Sequence, residues 1–247
     1  MDQERNGLSE LELLKFIFNS IVLPTAKDLV GLYEEFNSHS HNALRCGAAK
    51  RLIAPLSRFA KNRLGEPELK QLFIHKLIEN TDYKYSIETQ TSVPHNNTGK
   101  TDSKGRSGNI DLTIYDPEPT KGGFLNSINV EFKAIGADFD AVTVDIKKLV
   151  MEKSCGIWFL SLINADEGTM PIVLQKLSRA FNEAGLCGFC LKNPETCKYI
   201  ENRLIMIFVA VLGKKLGYLK IFDFRKADFK SYCDNFFQKS DFELHDL

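Results

Sequence analysis

Two short apolar stretches carry charged groups where a buried strand has no room for them. Asn109-Ile110-Asp111-Leu112-Thr113-Ile114-Tyr115 and Ile128-Asn129-Val130-Glu131-Phe132-Lys133-Ala134 both alternate apolar with polar residues, the period of a β-strand. Ile110, Leu112 and Ile114 then share one face, and Asp111, Thr113 and Tyr115 the other. Val130 and Phe132 oppose Glu131 and Lys133 in the same way. As neighbours in one sheet, about 4.8 Å apart, the two strands gather Asp111, Glu131 and Lys133 on a single face. Ionised groups buried without partners are costly, so the cluster calls for a compensating ion. Two carboxylates suit a hard divalent cation, which prefers oxygen ligands.

The remaining chain reads as scaffold. Ser9-Glu10-Leu11-Glu12 has the form of a capping box and predicts a helix to about residue 21, stopped before Pro24. A second helix is expected over 25–37, with Leu29, Leu32, Tyr33 and Phe36 at helical spacing. Residues 43–64 form a third helical region that carries Arg45, Lys50, Arg51, Arg58, Lys61 and Arg63 and no acid. These helices make an N-terminal extension, 1–64, on a core spanning 65–247, the two expected as a single compact unit. Pro67 suits the first turn of a helix from Glu66 to about 79, striped by Leu69, Leu72, Phe73 and Leu77. A strand over 84–93 and a polar loop over 95–107 lead into the two charged strands. Asp116-Pro117-Glu118-Pro119 and Gly122-Gly123 connect that pair. A helix over 139–153, a nearly all-apolar strand over 157–163, a helix over 171–184 and strands over 204–212 and 217–224 follow. A strand, a helix and a second buried strand imply a parallel crossover.

The charged strands resemble the PD-(D/E)xK nuclease superfamily, whose pattern is an acid on one strand, a spacer, then an acid, any residue and a lysine on the next. Asp111 and Glu131-Phe132-Lys133 fill those positions, with Ile110 where the motif's name has proline. Val144-Asp145-Ile146-Lys147-Lys148-Leu149 is similar to the Asp-x-x-Lys-Leu run that often opens the following helix in restriction-enzyme relatives. The likeness covers about 65–224. It implies an α/β, restriction-endonuclease-like mixed sheet flanked by helices. It also implies a Mg²⁺- or Mn²⁺-dependent deoxyribonuclease, an endonuclease of the restriction or antiphage-defence type. Asp111, Glu131 and the Phe132 backbone carbonyl would hold the metal and Lys133 would orient the attacking water. The family often adds an acid from the first core helix. Glu66, in phase with Leu69, Phe73 and Leu77, is chosen over Glu68. Asp145 is either a supporting group of the site or a helix-terminal charge, the structural role being favoured.

Composition narrows the partners. Lys plus Arg equals Asp plus Glu at 32 each, so nucleic acid can be drawn only by local patches. Arg45, Lys50, Arg51, Arg58 and Lys61, and the loop bearing Lys100, Lys104 and Arg106, are the candidate phosphate contacts, with DNA favoured over RNA. They read no bases. The longest apolar run, 204–212, is too short to cross a bilayer as a helix, and Met1-Asp2-Gln3-Glu4 lacks the start of a secretory signal. A cytoplasmic protein with mostly free thiols is expected. Cys187, Cys190 and Cys197 have spacing that suits Zn²⁺. In some members of the resembled superfamily a similar trio holds an iron-sulfur cluster, with Cys46, Cys155, Cys233 or His41 as the available fourth ligand here. A homodimer is one option the residues leave open. A competing reading from another class is a non-catalytic nucleic-acid- or protein-binding module that keeps the fold.

Overall fold

The longer helices and strands form where their periodicity is clearest, and one proline behaves differently from expectation. The computed structural model describes residues 8–38, 64–94, 107–134, 139–152, 154–165, 168–183, 204–223 and 237–247. The expected basic helix over 43–64, the Lys100, Lys104 and Arg106 loop, and Cys187, Cys190 and Cys197 lie outside the described residues. The Ser9 capping box closes as read: Ser9 Oγ accepts the Glu12 N–H at 3.3 Å, and the Ser9 N–H donates to Glu12 Oε2 at 2.7 Å. It starts α1 (Glu10–Ile17). Pro24 does not stop the chain's helical course. A π turn over Phe18–Val22 intervenes, in which the Leu23 N–H reaches Phe18 O. Pro24, with no N–H to satisfy, then rides in the first turn of α2 (Leu23–Ser38).

In α3 (Glu66–Asn80), Pro67 occupies the first turn and Glu68 accepts the Gly65 N–H at 2.7 Å. Seven strands then form one open mixed sheet in sequence order: β1 (Lys84–Pro94), β2 (Ser107–Tyr115), β3 (Asn126–Lys133), β4 (Cys155–Leu162), β5 (Leu204–Val211), β6 (Leu216–Asp223) and β7 (Glu243–Asp246). The β3/β4 and β4/β5 pairs are parallel, and the other four neighbouring pairs are antiparallel. Between the parallel strands the chain runs through α4 (Phe139–Met151) and α5 (Thr169–Glu183). The four-residue β7 has no counterpart in the sequence reading, being too short to display a period of its own.

Two apolar layers sandwich the sheet. On one side α1, α2 and α3 cover Leu112, Ile114, Val130, Phe132, Phe159 and Phe208. The Phe73 ring of α3 meets Phe132 edge-on, with centroids 5.2 Å apart. The first two helices therefore share a core with the strands. On the other side α4 and α5 cover Trp158, Leu160, Ile207, Val209 and Tyr218. A side chain at Gly156 would press on Leu149 Cβ at 3.1 Å, so glycine there lets α4 lie close against β4. Among the described residues no helix is long and apolar enough to cross a membrane.

Candidate functional site

The β2/β3 ladder holds from the Tyr115 end to Leu112↔Val130 and pairs no further. Beyond that point the Phe132 N–H donates to Asp111 Oδ2 at 2.9 Å, so an acid side chain on β2 takes a main-chain group of β3. Alternation sends Leu112, Val130 and Phe132 into the core under α3, and Asp111, Glu131 and Lys133 to the α4 face. Thr113 Oγ1, donating to Asn129 Oδ1 at 3.0 Å, marks the same face one step back along the strands. Asp111, Glu131 and Lys133 are therefore brought to one side of one sheet at the end of the paired ladder.

The charges there interlock through three lysines. Lys148 of α4 places its Nζ 2.6 Å from Glu131 Oε1 and 3.4 Å from Asp145 Oδ1, and donates to the Asn109 carbonyl at 2.9 Å. Lys133 does not pair with Glu131 or Asp111. Its Nζ lies 2.9 Å from Asp145 Oδ2 and 3.8 Å from Glu66 Oε2. Lys70 of α3 joins Asp111 Oδ1 at 3.6 Å to Glu88 Oε1 at 2.9 Å. Glu88 sits between Ile87, opposite Leu112, and Thr89, opposite Ile110, which puts two acids across from each other on β1 and β2. Like charges so placed repel, and the Lys70 ammonium lies between them. Glu88 also has φ of 54°, the left-handed region that a non-glycine residue occupies only when its surroundings hold it there.

Burial sets the protonation behaviour. Glu131 is 1% exposed; that burial, helped by the Asp145 charge, raises its pKa well above the usual carboxyl value, against the pull of Lys148. Burial likewise raises Glu66, with Lys133 opposing. For Lys133 and Lys148 burial works toward the neutral amine. Asp145 in the first case and Glu131 in the second lead the neighbouring charges that outweigh it, so both pKa values rise. The lysines are held as ammonium ions among largely buried acids.

Of the residues singled out by sequence, Asp111, Glu131, Lys133 and Glu66 meet here, while Glu68 is spent on capping α3. Asp145 is more than a helix-terminal charge, since it is buried and holds both Lys133 and Lys148. Lys70 and Glu88 escaped the sequence reading. Lys70 stands four residues after Glu66 on one helix face, a spacing that was there to be used. Cys155 is buried in the core.

The donor chemistry fits a divalent cation. Glu131 Oε1 and Asp145 Oδ2 are buried oxygens, held by the Lys148 ammonium at 2.6 Å and the Lys133 ammonium at 2.9 Å. Five carboxylates, of Glu66, Glu88, Asp111, Glu131 and Asp145, face three ammonium groups. Among the described residues no three acid, histidine or cysteine side chains stand together as a ready metal cage. Mg²⁺ does not need one, because one or two carboxylates complemented by water and substrate phosphate oxygens suffice. Comparison with family models, with curated proteins and with solved structures returned no match.

Proposed function

We propose that the protein is a divalent-metal-dependent nuclease of restriction-endonuclease-like fold that hydrolyses phosphodiester bonds, with DNA the favoured substrate and internal cleavage the favoured mode. The observation that carries this reading is the meeting of Asp111 and Glu131 with Lys133 where the β2/β3 ladder ends, on a sheet whose next strand returns parallel after α4. Helix, three antiparallel strands, helix and parallel strand is the order that the resembled superfamily leads one to expect.

Asp111, Glu131 and the Phe132 carbonyl would hold Mg²⁺ or Mn²⁺. When bound, the metal lowers the pKa of a coordinated water and offsets charge on the phosphate oxygens. Asp111 is oriented for this work by the Phe132 N–H. Lys133, kept protonated by Asp145 and Glu66, presents an ammonium that steadies the attacking water and the growing negative charge. Asp145 positions Lys133 instead of touching substrate. Glu66, about two-fifths exposed, stands at the rim beside Lys133 and can accept the proton of an incoming water directly.

The test is incubation of the purified full chain with plasmid DNA, linear DNA and RNA in parallel, with Mg²⁺ or Mn²⁺ and with chelator. The reading expects metal-dependent cleavage of DNA that Lys133→Ala removes while the fold persists. Undiminished cleavage by that variant would remove the site. Salt-sensitive binding without turnover, indifferent to chelator, would instead favour a non-catalytic binding module.

A further inference from the structure

Lys148 is surrounded in the way a bound cation is. Its Nζ has the Glu131 carboxylate at 2.6 Å, the Asn109 carbonyl at 2.9 Å and the Asp145 carboxylate at 3.4 Å. Two acid oxygens and a main-chain carbonyl are the ligand types that hard cations select. The lysine is itself buried, as are both acids. The contact with Glu131 is the shortest of the three, so that carboxylate is the principal partner of the ammonium. The ammonium arrives from α4, while the cradle belongs to β2 and β3, apart from Asp145 one turn back on α4. Its aliphatic stem leaves the head free to move between Glu131 and Asp145 without disturbing either strand.

From this geometry we propose that Lys148 is a built-in counter-ion that occupies the Glu131 cradle and is displaced by an incoming divalent cation. The inference rests on the metal-dependent reading above and adds a cost to it. Metal uptake is a competition: an ammonium 2.6 Å from Glu131 Oε1 repels a divalent ion approaching the same carboxylate, so the ion binds there at the cost of displacing a charge that already neutralises part of the acid cluster. On displacement Lys148 falls back onto Asp145, its other acid partner. A chain without metal thus keeps its buried acids neutralised, and a chain with metal keeps a second ammonium near Lys133.

The test reads metal binding directly. Trp158, the only tryptophan, pairs with Glu131 across the parallel β3/β4 ladder and so lies beside the cradle, where it can sensitise Tb³⁺ luminescence. Tb³⁺ titration of the full chain, with Mg²⁺ as competitor, is compared for wild type, Lys148→Met and Lys147→Met. The last removes a charge one residue away from the same helix without emptying the cradle. Lys148→Met is expected to bind roughly tenfold or more tightly than wild type, with Lys147→Met close to wild type. Mg²⁺ should also raise the melting temperature of Lys148→Met by more than that of wild type. If Lys148→Met is unfolded without metal, its refolding on adding Mg²⁺ is the same result, and Lys148→Gln, which keeps an amide donor for Glu131, repeats the titration in a folded chain. Equal or weaker binding by the position-148 variants would overturn the inference while leaving the metal-dependent reading intact. Binding by neither wild type nor variants would overturn both. Binding by the variants alone would also overturn it, since the native ammonium would then hold the cradle against metal instead of yielding to it.

Discussion

Strands β3 and β5 lie at the same depth and do opposite things with it. Every residue of β5 is buried, and all eight are apolar, Leu204-Ile205-Met206-Ile207-Phe208-Val209-Ala210-Val211. Strand β3 is buried over six consecutive positions, yet those include Ser127, Asn129 and Glu131. Burying apolar area contributes about 25 cal/mol per Å² toward folding, whereas an ionised carboxyl at that depth costs several kcal/mol before its partners act. A chain seeking only stability would fill β3 as it fills β5. The strand that departs from that rule carries the candidate chemistry, and the Lys148 ammonium of α4 offsets part of the cost.

The contrast can be broken by cutting into each strand. Truncating Phe208, which meets Phe18 and Phe159 edge-on at 5.4 and 5.2 Å, should cost about 3–5 kcal/mol in denaturant unfolding. A cost under about 1 kcal/mol would show that β5 is not the stabilising centre. Lys133→Ala should lower cleavage by on the order of 10²–10⁴-fold while changing unfolding much less than Phe208→Ala does, because Asp145 keeps Lys148 as a partner. Equal losses of stability in the two variants would mean that β3 is scaffold like β5.

Smaller effects sharpen the boundary between scaffold and site. Lys76 Nζ lies 3.0 Å from Asp28 Oδ2, tying α3 to α2 far from the acid cluster. Burial works against the Lys76 ammonium, but bonds to Asp28 and Glu79 outweigh it and its pKa is raised. A raised ammonium contributes stability that is complete below the unfolded value, about 10.4, and disappears as pH climbs through the folded one. Wild type should therefore exceed Lys76→Met by about 1 kcal/mol or less at neutral pH, with the gap closing in alkali. A gap that widened with rising pH would contradict the pairing. Ser9→Ala, which removes the α1 cap, should cost about 1 kcal/mol and leave cleavage untouched.

How much of this was legible in the chain depends on the kind of signal. The alternation around Asp111 and Glu131 could be read because period-two patterns assign faces without tertiary knowledge, and the observed register places both acids on the α4 side. Helix α3 and the choice of Glu66 over Glu68 followed from helical phase. Lys70 and Glu88 were invisible as site residues because a charge on a helix or an edge strand looks the same whether it meets water or an acid across the sheet. Asp145 and Lys148 stand in the Asp-x-x-Lys-Leu run, but the run by itself does not say which acids the lysine meets. Pro24 was misread because a π turn, which depends on how α1 and α2 pack, decides whether a proline ends a helix or rides within it.

The central claim is that Asp111 and Glu131 jointly hold a divalent cation. Crystals of the full chain soaked in Mn²⁺ and measured at the manganese absorption edge test it most directly. The account predicts an anomalous peak within about 2.0–2.6 Å of an oxygen from each of the two carboxylates, with the Lys148 ammonium moved off Glu131. A peak elsewhere, or none while Lys148 remains on Glu131 at saturating metal, would contradict it.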